Sequence, residues 1–300
     1  GDLMSVTPGL SGRNVGGAFV AYAIRGITSN VTTIDAEASV GVFVDGMYVG
    51  RFGGAAGAMY DLERVEVLKG PQSTMFGRNS SAGVINIVAN KPTSEFSVDG
   101  ALRYGERNSR EAELALNLPV SDSLALRIAG RVSDEDGWAN YAITGDSGFD
   151  QNSNAGDPAF DDNSKAVRLS ARYEPSDGVT IDFTTDWEDS QLDSPQFPAD
   201  SSFPTGPFDE LTYISVEDTH DFQSWGLGTR ISVDLANDFE LVSFTGYREF
   251  DFVEPFDLDG LPQVAFQQKF FTGNETFFQD FRLHRTTAST DWFLGASYWK

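Results

Sequence analysis

The sequence predicts a mainly β protein in which a small α+β domain precedes the strands of an antiparallel β-barrel of the outer-membrane type. Three observations predict this fold class. The chain of 300 residues is rich in Gly (30) and aromatic side chains, with 24 Phe, 9 Tyr and 5 Trp. Beyond about residue 93, apolar and polar residues alternate with a period of two. The connections between these alternating segments switch between short turns and long acidic loops.

Composition excludes several classes of function. The chain has 45 acidic and 21 basic residues, a formal charge of −24, which argues against a general nucleic-acid binder because such binding rests on Lys and Arg. The absence of Cys excludes disulfides, a thiol nucleophile and thiolate zinc sites. Only His220 and His284 could supply imidazole ligands, so a metal site would have to use carboxylates. We expect no cofactor and no resident metal.

The apolar segments are too short for a membrane-spanning helix. The longest uninterrupted run, from Ala18 to Ile24, is far below the roughly 20 residues that a spanning helix needs. The other structure that satisfies every backbone group in lipid is a closed β-barrel. Aromatic residues suit the strands and interfacial girdles of such a barrel, and Trp187, Trp225, Trp292 and Trp299 are predicted to lie in a girdle.

The first part of the chain predicts a small α+β unit. Asp45-Gly46 between two apolar triplets is a strong hairpin signal, because both central residues of the turn need positive φ. Residues 53–60 are compatible with a helix, and residues 64–68 and 83–88 have the composition of strands. Near residues 91–95 the sequence changes from a mixed, Gly-rich pattern to long segments of alternating apolar and polar residues. We therefore predict a first domain over residues 1–93 and a second over residues 94–300.

The second part predicts about nine strands, each with one apolar face. Val98, Leu102 and Tyr104, for example, alternate with Asp99 and Arg103. The predicted strands lie near residues 96–104, 111–118, 124–131, 167–173, 179–184, 223–235, 239–250, 275–285 and 290–299. Within residues 241–250 the apolar phase slips, which predicts either a bulge or a misassigned segment.

The predicted connections alternate in length. Turns of about three to five residues are predicted at 119–122, 174–178, 236–238 and 286–289, whereas the intervening loops take about 24 to 33 residues. Residues 105–110 are a short exception on the long-loop side. Residues 134–164 contain eight acidic and no basic residues, and residues 190–222 contain seven and none. Tight turns on one side and long solvated loops on the other are typical of an outer-membrane barrel.

Two segments of the first part resemble a known family. The strings GVFVDGMYVGR (41–51) and DLERVEVLKGPQSTMFGRNSSAGVINIV (61–88), together with Ile24-Arg25-Gly26, resemble the plug domain of TonB-dependent outer-membrane receptors. The likeness covers about 70 plug residues. The rest of the chain is similar mainly in its alternation of apolar and polar residues and in the spacing of its strands. The resemblance implies a 22-stranded barrel closed by the plug, so the chain is expected to be a fragment that lacks the TonB box and the remaining strands.

The resemblance also implies a function and a place. Family members are not enzymes: they import a scarce ligand, most often a ferric siderophore, across the outer membrane of Gram-negative bacteria. The TonB energy-transducing complex of the inner membrane is the implied partner, together with outer-membrane lipid and the small-molecule ligand. Arg25 and Lys69 lie where the plugs of the family carry basic residues that face carboxylates of the barrel. We expect plug–barrel contacts there, with partners mostly outside this chain.

Candidate ligand contacts lie in the predicted loops. The aromatic residues of one long loop could stack on a ligand or pack the loop against the rim, and His220 could touch iron or haem or be a surface residue. Asp157, Asp161 and Asp162 could bind calcium, although their spacing matches no regular calcium loop and a solvated acidic loop explains them as well. The aromatic candidates are Phe197, Phe203, Phe208, Tyr213 and Phe222.

A second interpretation of the sequence remains open at this stage. A non-transporting secreted or surface β-protein, such as an adhesin or a module that binds or hydrolyses carbohydrate, would also be acidic and rich in strands. The two interpretations differ in the arrangement of the strands. An importer needs a single wall with an apolar outside and a polar inside, whereas the alternative needs two stacked sheets around a dry interior.

Overall fold

The computed structural model of the chain describes residues 3–16, 19–28, 38–49, 59–77, 79–137, 139–141, 158–159, 161–193, 211–212, 219–257 and 267–300. Within these ranges, no helix is long and apolar enough to cross a membrane.

The described residues up to position 89 form two short helices and seven strands in two small sheets. One sheet has the order β1-β2-β3 and the other the order β5-β4-β7-β6, in which β4 and β7 are parallel. The elements are α1 (Leu3–Val6), β1 (Leu10–Gly16), β2 (Phe19–Ile24), β3 (Ile27–Thr28), β4 (Val40–Val44), β5 (Met47–Tyr48), β6 (Leu62–Lys69), α2 (Ser73–Phe76) and β7 (Gly83–Ala89).

The predicted hairpin is confirmed between β4 and β5. Asp45 and Gly46 have φ values of 51° and 85°, the left-handed conformations that this two-residue turn requires. The predicted strands near residues 64–68 and 83–88 are confirmed as β6 and β7. Most of the predicted helix at 53–60 lies outside the described residues. Apolar side chains of both small sheets, including Leu10, Ile24 and Ile85, form a common core.

From Ser97 onward, the described structure is almost entirely strand. Nine long antiparallel strands form one sheet of the order β19-β18-β17-β16-β14-β13-β10-β9-β8, and three short strands form a separate sheet. The strands are β8 (Ser97–Tyr104), β9 (Arg110–Ser121), β10 (Leu124–Glu135), β11 (Ala139–Tyr141), β12 (Pro158–Ala159), β13 (Asp162–Ser176), β14 (Val179–Asp193), β15 (Leu211–Thr212), β16 (Thr219–Leu235), β17 (Phe239–Asp257), β18 (Gln267–Thr286) and β19 (Asp291–Trp299). The nine predicted strands are thus confirmed.

The nine-stranded sheet has the burial pattern of a membrane wall rather than of a soluble core. Large apolar side chains such as Leu102, Leu114 and Ile128 are exposed, Leu102 by 87%. Polar side chains on the opposite face, including Asn117 and Arg168, are buried. An aqueous protein would reverse this arrangement, so the sheet is a single curved wall with a polar inside. The stacked sheets around a dry interior, which the alternative interpretation needs, are not what these nine strands form.

The strands are longer than predicted, and one predicted loop is wrong. Strands β17 and β18 contain 19 and 20 residues, so their connection shrinks from the predicted 24 or more residues to residues 258–266. The short turns occur near the predicted positions. The pairing of β17 with both neighbours runs without a register shift through residues 241–250, which excludes a bulge there. Val242, Phe244 and Phe250 are buried apolar residues of the inner face, and this explains the apparent slip.

Candidate functional site: the contact between plug and wall

The two parts of the structure meet on the inner face of the sheet. We call the described residues up to 93 the plug segment and the nine-stranded sheet the wall. In the outer-membrane type of barrel, the position of such a segment inside the wall decides whether anything can pass. The contacts between plug segment and wall are therefore the candidate functional site.

A buried ion pair joins the start of β6 to β10. The carboxylate of Asp61 accepts hydrogen bonds from Nε and Nη2 of Arg127 at 2.7 and 2.5 Å, and the two side chains are only 7% and 8% exposed. Asn90 Nδ2 donates a further hydrogen bond to Asp61 Oδ1 at 2.8 Å. Burial opposes ionisation, but these hydrogen bonds outweigh it and the pKa of Asp61 is lowered. Asp61 therefore stays ionised, as a bidentate partner of an arginine must.

The neighbouring residue makes a second contact with the wall. Arg168 of β13 donates a hydrogen bond from Nη1 to the carbonyl oxygen of Tyr60 at 3.1 Å. Its guanidinium also lies 4.6 Å from the centre of the Tyr60 ring, a cation–π geometry. Asp61 has a φ of 49°, in the left-handed region that Asp tolerates better than most residues. Residues 60–61 are thus held by the backbone, a ring and a carboxylate at once.

The charges at this contact have the opposite arrangement to the one implied for Arg25 and Lys69. At Asp61, the acidic group belongs to the plug segment and the basic group to the wall. Lys69 Nζ donates to the carbonyl oxygen of Pro8 at 2.5 Å, within the plug segment. Arg25 is exposed, and its backbone N donates to the carbonyl oxygen of Gly9. A contact of Arg25 or Lys69 with further barrel strands stays a prediction.

Two more polar contacts fix the end of the plug segment. Asn117 of β9 is fully buried; its Nδ2 donates to the carbonyl oxygen of Thr93 at 2.9 Å, and its Oδ1 accepts from the Thr93 backbone N at 3.0 Å. Lys91 Nζ lies 3.5 Å from Asp182 Oδ2 of β14, which also accepts from Arg172. The Lys91 pair is half exposed and contributes little, whereas the buried Asn117 amide orients the chain where it enters the wall.

Within the wall, one ion pair reaches across a whole strand. Arg248 of β17 donates from Nη2 to Asp186 Oδ1 of β14 at 2.7 Å, although β16 lies between these strands. The guanidinium crosses β16 at Gly226, where an added Cβ would lie 2.8 Å from Nη2. A side chain at position 226 would occupy the space that the guanidinium fills. Glycine at this position therefore permits the pair.

On the other side, the plug segment meets the wall through apolar side chains. Met47, beside the hairpin turn, packs with Phe244 and Phe278 of the inner face, and its Sδ lies 2.6 Å from the Cβ position that a side chain at Gly246 would need. Trp299 packs on Phe278 with 4.2 Å between ring centres. The interface between plug segment and wall is therefore apolar on this side. Trp299 belongs to this contact and not to a girdle, whereas Trp187, Trp225 and Trp292 are partly exposed.

A cavity of about 470 Å³ lies between the plug segment and strands β13 to β19. The hairpin turn and residues 73–77 line it on the plug side. Charges of both signs line it on the wall side: Asp182, Asp186, Arg230, Asp280 and Arg282. Asp45 also lines it; burial raises the pKa of Asp45, although Ala89 N donates a hydrogen bond to its Oδ1 at 3.0 Å.

Of the predicted ligand contacts, the structure describes His220 and Phe222. Both lie in β16 and are fully buried, and the ring centre of His220 lies 5.8 Å from that of Phe252. Phe222, Phe250 and Phe252 form a buried aromatic cluster on the same inner face. The loop aromatics Phe197, Phe203, Phe208 and Tyr213 lie outside the described residues. A ligand-binding role for these residues and for His220 stays a prediction.

The predicted calcium site is described only in part. Asp157 lies outside the described residues, and Asp161 and Asp162 are exposed at the start of β13. Among the residues that the structure describes, no group of three His, Cys, Asp or Glu side chains could hold a metal ion.

Sequence reasoning missed Asp61 and Arg127 as contact residues, although part of the signal was present. The alternation of residues 124–131 already places Arg127 on the polar face of its strand. What the pattern lacks is the partner, because a contact between residues 61 and 127 depends on how the plug segment sits inside the wall. Asp61 is the first residue of the quoted segment 61–88, but the pattern there predicts only a strand at residues 64–68 and gives no role to Asp61.

Comparison with known proteins agrees with this architecture. Residues 1–84 match the sequence family described as the TonB-dependent Receptor Plug Domain. The chain is 30% identical over 122 residues to the catecholate siderophore receptor Fiu of Escherichia coli (strain K12), which is 39% of this chain and 16% of the relative. It is 31% identical over 125 residues to the pesticin receptor of Yersinia pestis, 41% of this chain and 18% of the relative.

Solved structures extend the likeness to the wall. The ferric yersiniabactin uptake receptor FyuA from Yersinia pestis superposes with a TM-score of 0.77 at 18% identity, over 98% of this chain and 44% of the receptor. The pyoverdine outer membrane receptor FpvA from Pseudomonas aeruginosa gives 0.76 at 16% identity, over 99% of this chain and 43% of the receptor. The chain thus spans less than half the length of these receptors. Residues 1–84 are similar to the plug domain of TonB-dependent receptors, and the chain shares the fold of the matched part of these receptor structures.

Proposed function

We propose that the protein to which this chain belongs is a TonB-dependent transporter of the Gram-negative outer membrane that imports a ferric siderophore and catalyses no reaction. Residues 1–93 form its plug and residues 94–300 the first strands of its barrel. The observation that carries this proposal is the plug segment seated on the polar inner face of a wall whose outer face is apolar. The change of sheet between β7 and β8 supports the domain boundary.

The relatives support the class of cargo. Their names include catecholate siderophore, ferric yersiniabactin and pyoverdine receptors. TonB supplies the energy in this proposal by acting on the plug, and outer-membrane lipid covers the exposed apolar face of the wall. In this proposal the cargo first contacts the loop aromatics and His220, whose ring lies beside the buried cluster of Phe222, Phe250 and Phe252.

Uptake by the full-length protein tests the proposal. Cells that lack their own siderophore receptors are given the full-length gene and supplied with radioactive iron as a ferric catecholate, ferric yersiniabactin or ferripyoverdine. We expect accumulation of one of these, and loss of it when TonB is deleted. Failure to accumulate or to bind any of them would contradict the proposed cargo, and accumulation that is independent of TonB would contradict the proposed energy source.

A further inference from the structure

We propose that the full-length protein forms a dimer in the outer membrane through a polar surface on the lipid-facing side of strands β16, β17 and β18. We call Thr229, Ser243, Thr245 and Gln279 the lateral patch. The inference rests on the membrane location in the proposed function, but on neither the cargo nor the energy source. It follows from hydrogen-bonding side chains on a face that is otherwise apolar.

The strand pairing places the members of the lateral patch side by side on the outer face of the wall. Thr245 of β17 pairs with Thr229 of β16 and with Gln279 of β18, and Ser243 lies two positions before Thr245. Phe244 is buried on the inner face. Because side chains alternate between the two faces of a strand, the residues on either side of Phe244 point outward. All four members of the patch are partly exposed.

The lateral patch lies halfway up the part of the wall that the membrane covers. At the end near the short turns, the rings of Phe239 and Trp292 lie 5.7 Å apart. At the other end, Trp225 Nε1 donates to Glu249 Oε2 at 3.1 Å, an amphipathic pair typical of a membrane surface. From Phe239 to Glu249 the strand rises about 33 Å, which a tilt of about 40° reduces to about 25 Å, the height of the apolar band. Thr245 lies about 15 Å above Phe239 on the same scale.

The hydrogen bonds within the lateral patch leave two donors open. Thr245 Oγ1 donates to Gln279 Oε1 at 2.6 Å, and Gln279 Nε2 donates to Ser243 Oγ at 3.2 Å and to Asp280 O at 3.3 Å. Among the residues that the structure describes, the hydroxyl protons of Thr229 and Ser243 have no acceptor. Hydrocarbon offers these protons no partner, so contact with lipid alone is unfavourable.

The opposite side of the wall has no such surface in its middle. The outer positions along β9 and β10 alternate with the polar inner positions and carry only apolar residues or Gly. They are Ala112, Leu114, Leu116, Leu118, Leu124, Leu126, Ile128, Gly130 and Val132. Polar side chains at this depth are therefore a local feature of β16 to β18 and not a general property of the wall.

A second copy of the same protein is the partner that this surface fits. Acyl chains carry no hydrogen-bonding group at this depth. Two copies in one membrane share their orientation and depth, so a twofold axis along the membrane normal places one lateral patch opposite the other. The patch is neutral and offers both the open hydroxyl protons and a second lone pair on Gln279 Oε1, which makes it complementary to itself. Glu249 and Glu275 lie at the aqueous end, where salt screens their repulsion.

The surface around the lateral patch is large enough for a stable dimer. Five strands, β14 and β16 to β19, lie about 4.8 Å apart and extend about 33 Å between the two aromatic ends, which gives about 800 Å². A standard interface buries about 800 Å² per partner. Ile231, Leu241 and Phe281 are exposed beside the patch. In the dimer these apolar side chains pack against their copies, while the hydrogen bonds of the patch fix the register.

Oxidative crosslinking of single cysteines tests the proposal in outer membranes that contain the full-length protein, with any Cys outside residues 1–300 replaced by Ser. Thr245→Cys puts a thiol at the proposed twofold axis, where the two copies meet. The matched control is Leu114→Cys on the opposite side. Leu114 is eight residues from Asp122 in its turn and Thr245 is seven from Asp238, so the two thiols lie at similar heights. Copper phenanthroline enters the membrane and forms the disulfide, and non-reducing gels measure the dimer.

We expect at least ten times more disulfide-linked dimer with Thr245→Cys than with Leu114→Cys. Equal yields in the two variants, or no dimer with Thr245→Cys, would overturn the proposal. Labelling of Thr245→Cys with a benzophenone maleimide then captures whatever neighbour is present on illumination. A second copy of the protein is the expected product, and capture of a different protein or of lipid alone would overturn the assignment of the partner.

Removal of the polar groups tests the same surface without a crosslink. The triple variant Ser243→Ala, Thr245→Val and Gln279→Leu suits a lipid-facing position, so the barrel should still fold and keep its resistance to heat on gels. Sedimentation of the purified full-length protein in detergent should show a dimer whose dissociation constant rises at least tenfold in this variant. Leu114→Val with Ile128→Val is the control and should leave the constant unchanged. A wild-type monomer, or an unchanged constant in the folded triple variant, would contradict the inference. Neither measurement uses cargo, so a failure of uptake would count against the proposed function alone.

Discussion

Replacement of Asp61 by Asn tests whether the buried ion pair holds the plug segment on the wall. The amide keeps the size of the carboxylate and can still accept a hydrogen bond, but Arg127 is left as a buried cation. Breaking a buried pair by removing one partner costs about 3–5 kcal/mol. Asp99 Oδ2 lies 3.6 Å from Arg127 Nη2 and is 67% exposed, so it offers partial compensation. We therefore expect Asp61→Asn to reduce the free energy of docking by about 3 kcal/mol. This corresponds to roughly a hundredfold rise in the undocked population.

Limited proteolysis of the full-length receptor in detergent measures this population, because cleavage of the plug tracks the fraction that is open when opening is fast. The control is Asp99→Asn, which removes an exposed partner of Arg127. The docking free energy obtained from its cleavage rate should change by less than about 1 kcal/mol. The double variant Asp61→Leu with Arg127→Met should recover much of the protection, since it removes both buried charges. Wild-type protection in Asp61→Asn would refute the reasoning.

The same pair sets the response of plug docking to acid. The pKa of Asp61 is lower in the folded protein than its ordinary value of 3.8, so the stabilisation is present above that value and is lost as pH falls through the lowered pKa. In calorimetry, the contribution of Asp61 to docking stability should stay constant between neutral and mildly acidic pH. It should decrease only in strong acid. Asp61→Asn should lack this acid-dependent contribution. A loss of docking near neutral pH that Asp61→Asn abolishes would contradict the assignment.

Two further substitutions test the wall and the hairpin. Gly226→Ala should displace the Arg248 guanidinium from Asp186 and cost about 2 kcal/mol of thermal stability, the range of a hydrogen bond between charged groups; Gly130→Ala, whose Cβ would lie 3.5 Å from its nearest neighbour, is the control that should be neutral. Asp45→Asn should stabilise the plug by about 1 kcal/mol, because Asn suits the turn, can accept from Ala89 N and carries no buried charge. A lowered melting temperature in Asp45→Asn, or an unchanged one in Gly226→Ala, would contradict these expectations.

The sequence was sufficient to predict the strands and their faces, and the reason is physical. A wall with lipid on one side and a polar interior on the other imposes a strict period of two, so Leu102 and Ile128 could be assigned to the apolar face from the pattern alone. The pattern failed where the inner face is not polar. Phe244 lines the inside and packs with Met47, a residue about 200 positions away in the sequence.

The contacts between plug segment and wall were less predictable for a related reason. The alternation places Arg127 on the polar face of its strand. Its partner Asp61 could be identified only once the position of the plug segment against the wall was known. The resemblance directed attention to Arg25 and Lys69, the basic residues of the plug, and thus to the opposite pairing of charges. The cavity was also beyond prediction, since both of its sides come from segments far apart in the sequence.

The length of β17 and β18 has a consequence for how the protein meets its surroundings. Twenty residues at about 3.3 Å each make a strand of about 65 Å, and a tilt of about 40° leaves about 50 Å of height. The apolar band of an outer-membrane barrel is only about 25 Å tall. The remainder is a collar beyond this band, on whose outer surface Gln223 and Asp251 stand beside an exposed Phe271. A molecule arriving from the medium would meet this collar well before it reached the lipid headgroups.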